Sequence, residues 1–202
     1  MARLPRLAWM ALFNLRIEMA FTRPNRSGKT TPNDVVHTPA QAARWIVNRY
    51  APKGLCLEPC RGGDAFWREL PEPKEWCEIE QGRDFLAWNG RADWIITNPP
   101  FSIYDLFLSK AFECADNIVF LTTLQKVFKS RKMDDKLTAY GGIKEIVMMG
   151  GGGCLGFPFG FPCGCLYFKR GYSGPTDIVR EYNWLNASGE SPAAEQKGSD
   201  EQ

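Results

Sequence analysis

Histidine is nearly absent from this chain of 202 residues; His37 is the only one. It stands far along the chain from Cys163 and Cys165, and nothing positions it as a base. Seven cysteines are scattered along the chain without a Cys-x-x-Cys, and Cys163 and Cys165 are too close for a usual zinc knuckle. No metal is therefore expected, and reduced thiols in a cytoplasm are the simplest reading. Long apolar runs are missing too, which excludes a membrane span and a membrane partner. The stretch 7–15 faintly resembles a secretory leader, but Asn14, Arg16 and Glu18 interrupt it and no clean cleavage site follows. Net charge is only +2, so bulk charge declares no nucleic-acid partner. Its distribution says more. Residues 1–61 hold ten Lys/Arg against three acids, and 126–136 hold five cations against two acids. Local positive charge of this kind is compatible with phosphate contacts.

What is present reads as one domain. Residues 1–33 form an N-terminal extension ending in a polar loop, and 171–202 a polar, flexible tail. Between them, helical patterns alternate with short apolar strands. Pro39 sits at the favoured first-turn position of a helix over 40–50, with Thr38 as its cap. Strands are expected at 54–57, 76–79, 93–97, 117–121, 143–148 and 163–168. Helices are expected at 65–70, 103–115 and 125–140, and a flexible glycine run at 150–153. Such alternation predicts an α/β domain with a mostly parallel central sheet.

Ligands of open α/β sheets gather beyond the carboxyl ends of the strands. Three segments lie at such ends. Glu58-Pro59-Cys60-Arg61-Gly62-Gly63-Asp64 is a glycine turn that opens with a carboxylate and holds no Gly-Lys-Ser/Thr. It suits a ligand carrying an amino group better than a pyrophosphate. Some twenty residues on, Glu78 or Glu80 can accept the hydroxyls of a ribose; strand alternation allows only one of them, with Glu78 preferred. Asp84-Phe85 offers an acceptor for an adenine amino group and a ring for packing. Finally, Asn98-Pro99-Pro100-Phe101 ends a strand with two residues that lack N–H donors. What remains is a stiff edge of acceptors, the Asn98 side-chain oxygen and the Pro99 carbonyl, beside an aromatic ring. Such an edge receives a planar base carrying NH2.

These segments resemble a known family. The glycine turn is similar to the first motif of class I S-adenosylmethionine-dependent methyltransferases, and residues 98–101 resemble the Asn-Pro-Pro-Phe/Tyr motif of the DNA adenine N6 enzymes. Val36-His37-Thr38-Pro39-Ala40 resembles the segment that precedes the first motif there and closes over the methionine end of the cofactor. The order of the three is similar to the gamma arrangement of small phage-encoded enzymes, with the restriction-modification context that goes with them. The resemblance covers residues 34–170.

It implies a Rossmann-like catalytic domain with helices on both faces of the sheet. It further implies S-adenosylmethionine as cofactor, S-adenosylhomocysteine as product, and DNA as partner in a bacterial or phage-infected cytoplasm. Asn98, Pro99, Pro100 and Phe101 would be catalytic. The cofactor would be held by His37, Thr38, Pro39, Glu58, Pro59, Gly62, Glu78, Asp84, Phe85 and Asn98. The target adenine would flip out of the duplex and stack on Phe101, with Phe157, Phe159 or Phe161 as a second aromatic. Two departures are notable. Asp64 occupies the second glycine position of the usual Gly-x-Gly, and no separate target-recognition domain follows the core. RNA or a glutamine side chain as acceptor, or an inactive binding protein of the same fold, are the alternative readings.

Overall fold

The computed structural model describes residues 36–126, 131–158 and 160–184. The expected N-terminal extension and Phe159 lie outside them.

The first helix, α1 (Ala40–Tyr50), buries Ala42, Ala43, Ile46 and Val47. That is the i, i+1, i+4, i+5 stripe of a helix with one apolar face. Pro39 is its N-cap residue, and the Pro39 carbonyl accepts from the Ala43 N–H at 3.1 Å. Thr38 therefore does not cap this helix, contrary to expectation; it lies one residue further out.

Strand β1 (Cys56–Glu58) is followed by a short helix α2 (Ala65–Glu69) and by β2 (Lys74–Trp76). The second strand lies earlier than its apolar residues indicate, because it pairs in parallel with β1 from Cys56↔Lys74 to Glu58↔Trp76. Residues 79–81 make a 3-10 turn instead of continuing the strand. Next come β3 (Ala92–Thr97), α3 (Tyr104–Cys114), β4 (Ala115–Thr123) and α4 (Arg131–Tyr140). The expected helix over 125–140 thus begins at Arg131, after a 3-10 turn at Leu124–Lys126. The chain closes the sheet with β5 (Gly141–Gly151), β6 (Pro162–Arg170) and β7 (Asp177–Arg180). The glycine run at 150–153 is shared between the end of β5 and a 3-10 turn at Gly152–Leu155.

The seven strands lie in the order β2-β1-β3-β4-β6-β5-β7. Only β6 runs against its neighbours, β4 and β5; the other pairings are parallel. Strand alternation sends side chains to two separate cores. Leu57, Ile95, Ile118, Phe120, Leu166 and Phe168 face α3 and α4. Cys56, Ile96, Val119, Leu121, Cys165 and Tyr167 face α1 and α2. A bulge between Ile143 and Glu145 shifts the phase of β5, so Ile143 and Ile146 both reach the first core. The chain has a Rossmann-like α/β fold with a mostly parallel central sheet.

The tail boundary at residue 170 needs correction. Residues 177–180 add a parallel edge strand to β5, and Trp184 is 1% exposed with its indole N–H donating to the Met149 carbonyl at 3.1 Å. An edge strand exposed along most of its length carries no apolar signature, which is why composition misses it. Replacing Trp184 by alanine is expected to cost about 3–5 kcal/mol of stability, read from chemical denaturation. A change below about 1 kcal/mol would place this residue outside the cooperative core.

Candidate functional site

The carboxyl ends of β1 and β3 frame a cavity of about 360 Å3. Val36, His37 and Thr38 form one wall. Glu58, Cys60, Arg61, Gly62 and Gly63 form the floor, with Ala65, Phe66 and Asn98 completing it. The turn that shapes the floor bends through left-handed backbone at two residues, Gly62 (φ 47°) and Asp64 (φ 66°). Asparagine and aspartate are the non-glycine residues that best tolerate this region. Asp64 is further held there by an ion pair with Arg61. The missing second glycine therefore leaves the bend intact. Gly63 brings the N-terminal segment close: a Cβ there would stand 3.1 Å from His37 Nδ1.

Glu58 ends β1 and is 2% exposed. One of its oxygens, Oε2, has no hydrogen-bond partner. Burial, with the Asp64 and Glu78 carboxylates nearby, pushes its acid up to about 9, against the opposing pull of Arg61 and the Trp67 N–H. A buried carboxyl with a free oxygen is a receptor for a cation. Asn98 follows β3. Its Nδ2 donates to the Val36 carbonyl at 3.1 Å, and since a carbonyl can only accept, this bond fixes which way the amide faces. Oδ1 is left buried and unpartnered. The Asn98 backbone is tied to the glycine turn as well: the Cys60 thiol lies 3.2 Å from the Asn98 carbonyl and 2.9 Å from the Thr97 hydroxyl.

The remaining expected residues divide. Pro59 and Pro99 are buried, and their rings stiffen the two segments that carry the site. Glu78 does not line the cavity; Oε2 accepts the Gly62 N–H at 2.7 Å, so its carboxylate supports the glycine turn. Glu80 is exposed on the 3-10 turn, and the strand alternation that was to separate the two acids ends at Trp76. Asp84 caps the next turn by accepting the Leu86 N–H at 2.9 Å. Phe85 is buried against Phe107, 4.9 Å between ring centres, in the core facing α3. Pro100 leads into a 3-10 turn that opens with Phe101. The Phe101 carbonyl accepts from Lys126 Nζ at 2.9 Å, and the same ammonium stands 5.7 Å from the centre of its ring. Lys126 is thus bound to the loop it faces. Phe157 belongs to the core with α1, whereas Phe161 is 53% exposed.

Sequence reasoning missed Cys60 and Phe66. The position of Cys60 inside the glycine turn was its one available signal. A larger hollow of about 550 Å3 lies toward the amino ends of β3 and β5, lined by Arg49, Tyr50, Trp94 and Glu145 among others. Three of its polar groups are engaged with one another: Arg49 and Tyr50 both bond Glu145, at 2.7 and 2.8 Å. The smaller cavity, with its unpartnered oxygens, is the candidate site.

Comparison with solved structures agrees with the fold. A protein from Vibrio vulnificus YJ016 assigned as a modification subunit of a type I restriction enzyme superposes with a TM-score of 0.51 at 16% identity, over 87% of this chain and 50% of its own. One from Listeria monocytogenes assigned as a class I S-adenosylmethionine-dependent methyltransferase gives 0.55 at 12% identity, over 85% and 71%. The M protein of the EcoKI type I restriction enzyme gives 0.53 at 13% identity, over 66% and 44%. The chain spans about half the length of the two modification proteins. No protein-family model matches it, and no curated protein matches it in sequence. Among the described residues no helix is long and apolar enough to cross a membrane.

Proposed function

We propose that this protein transfers a methyl group from S-adenosylmethionine to the N6 amino group of adenine in DNA. The observation that carries the reading is the Asn98 side chain. Its NH2 is committed to Val36, and its oxygen is buried and unpaired. An unpartnered acceptor of this kind costs about 1–3 kcal/mol in the free protein. An amino group on a planar base removes that cost.

The residues present fit the cofactor. Glu58 Oε2 is an orphan carboxylate oxygen suited to an α-ammonium group, and the bend at Gly62 and Gly63 leaves no side chain in the way. His37 and Thr38 would cover the same end. When bound, S-adenosylmethionine supplies an activated methyl on sulfur. The protein's own part is positioning and charge. The amino lone pair of adenine is delocalised into its ring, and hydrogen bonds from its two hydrogens to Asn98 Oδ1 and the Pro99 carbonyl would localise it. As the amino nitrogen takes the methyl group, it becomes positive, and the same acceptors stabilise that charge. One N–H proton then passes to water. No histidine is required. The modification subunits among the structural neighbours support DNA as the polymer, and the basic run around Lys126 suits its phosphates. Because N6 lies inside the duplex, the adenine would flip out to reach Asn98.

Incubation with isotopically labelled S-adenosylmethionine and duplex DNA, RNA or a glutamine peptide tests this. Nucleoside digestion is expected to yield N6-methyldeoxyadenosine from the DNA alone. Label in RNA or peptide and none in DNA would refute the polymer; label in none would refute the activity.

A further inference from the structure

Among the described residues five buried side-chain oxygens lack a hydrogen-bond partner: Glu58 Oε2, Asn98 Oδ1, Thr123 Oγ1, Thr122 Oγ1 and Tyr104 OH. They divide between the two faces of the sheet. Glu58 follows Cys56 and Leu57 in alternation, so it shares the α1 face with Cys56. Asn98 continues the phase of Ile96 onto that face, and Thr123 continues the phase of Val119 and Leu121. Thr122 takes the phase of Phe120, and Tyr104 packs edge-on against Phe120 at 5.8 Å, so these two belong to the opposite face. Three orphans therefore stand in a row on one face, at the carboxyl ends of three consecutive strands, β1, β3 and β4.

The row has a direction. The cavity lies between β1 and β3, with Glu58 and Asn98 on its wall. Thr123 lies on the other side of Asn98, on β4. Thr97 is in register with Phe120, so Thr123 stands one strand across and two residues beyond the position level with Asn98. Standard sheet spacings make that on the order of 8 Å between Cα atoms, within reach of one aromatic bicycle. Thr123 is 3% exposed with its hydroxyl buried, and a valine methyl could stand in that place at no cost in volume. Cys163, its partner on β6, is an apolar wall on the same face.

We infer that Thr123 is a specificity-determining residue for the acceptor, its hydroxyl donating to a ring nitrogen that flanks the amino group held by Asn98. This inference rests on the acceptor reading of Asn98 given above. The acceptor is then an aminated heteroaromatic ring, recognised as an amino donor beside a ring acceptor, and not merely any primary amine. Glu58 belongs to the donor molecule, Asn98 to the reacting amine and Thr123 to the ring.

The test pairs Thr123→Val and Thr123→Ser with duplex substrates carrying adenine, 1-deazaadenine or 7-deazaadenine at the target. Wild type is expected to lose roughly ten- to hundredfold in kcat/KM on one of the two deaza substrates. Thr123→Val should show a loss of that size on adenine and no further loss on the same deaza base, while Thr123→Ser keeps most of the activity. Cofactor affinity should stay unchanged in both, and Thr123→Val should melt no lower than wild type, since it removes an unpaired buried hydroxyl. A purely structural role would lower activity on all three bases alike and would overturn the inference. So would full activity of Thr123→Val, or a clear loss of its melting temperature. If wild type methylates no adenine polymer, the acceptor reading of Asn98 fails and this inference with it; if wild type is active and Thr123→Val matches it, this inference alone fails.

Discussion

Asn98→Ala is expected to lower kcat/KM for methyl transfer by roughly 10²–10³-fold or more, while the dissociation constant for S-adenosylmethionine changes by no more than about threefold. The asymmetry follows from where the side chain points. Its donor end is occupied by the Val36 carbonyl, and its acceptor end is buried and empty-handed. On the proposed reading only the amine being methylated needs that oxygen, and needs it most when the nitrogen turns positive. The substitution also frees Val36, so a melting curve belongs with the kinetics: a modest loss of stability with intact cofactor binding is the expected pattern. Equal loss of activity and of cofactor affinity would mean that the amide serves the donor pocket.

Glu58→Gln separates charge from shape at the other end of the cleft. The wild-type acid is held up to about 9, chiefly by burial and secondarily by Asp64. In the folded protein it keeps its proton, whereas the unfolded chain releases it near 4.5. The folded state thus binds more protons between these limits, and stability contributed by this group falls as pH rises from about 4.5 to about 9. Glutamine has no proton to lose. The variant is expected to be more stable than wild type, by a margin that grows across that window and levels off above it. Ligand binding should move oppositely. An arriving ammonium group favours the ionised carboxylate, so wild type releases a proton on binding and its affinity climbs with pH toward 9. Glu58→Gln should bind roughly ten- to a hundredfold more weakly, with a heat of binding that no longer depends on the buffer. A variant that binds S-adenosylmethionine as tightly as wild type would remove Glu58 from the donor pocket.

Local features of the chain decided much of the fold. Alternating apolar runs and the stripe through Ile46 and Val47 specify strands and a helix because each element must bury one face, and that periodicity is written in adjacent residues. The bend from Glu58 to Asp64 and the double proline after Asn98 are equally local: each is a backbone constraint carried by a few consecutive side chains. Other features are not local in origin. Glu78 looked like a ribose ligand by its distance from the turn, yet its carboxylate accepts the Gly62 N–H. Phe85 looked like a wall of the pocket and is packed on Phe107. Both outcomes depend on which strand ends where, and β2 ends at Trp76 because of its register with β1.

The sequence by itself determined the alternation of strands and helices, the tight bend after β1 and the stiff double-proline segment after β3, since each depends on residues next to one another. Only the tertiary structure decided which polar atoms were left without partners. Pairing is a property of neighbours in space: Val36 and Asn98 are 62 positions apart, and Glu58, Asn98 and Thr123 come from three strands. Their meeting on one face is a consequence of strand order and register, which no short stretch of the chain contains.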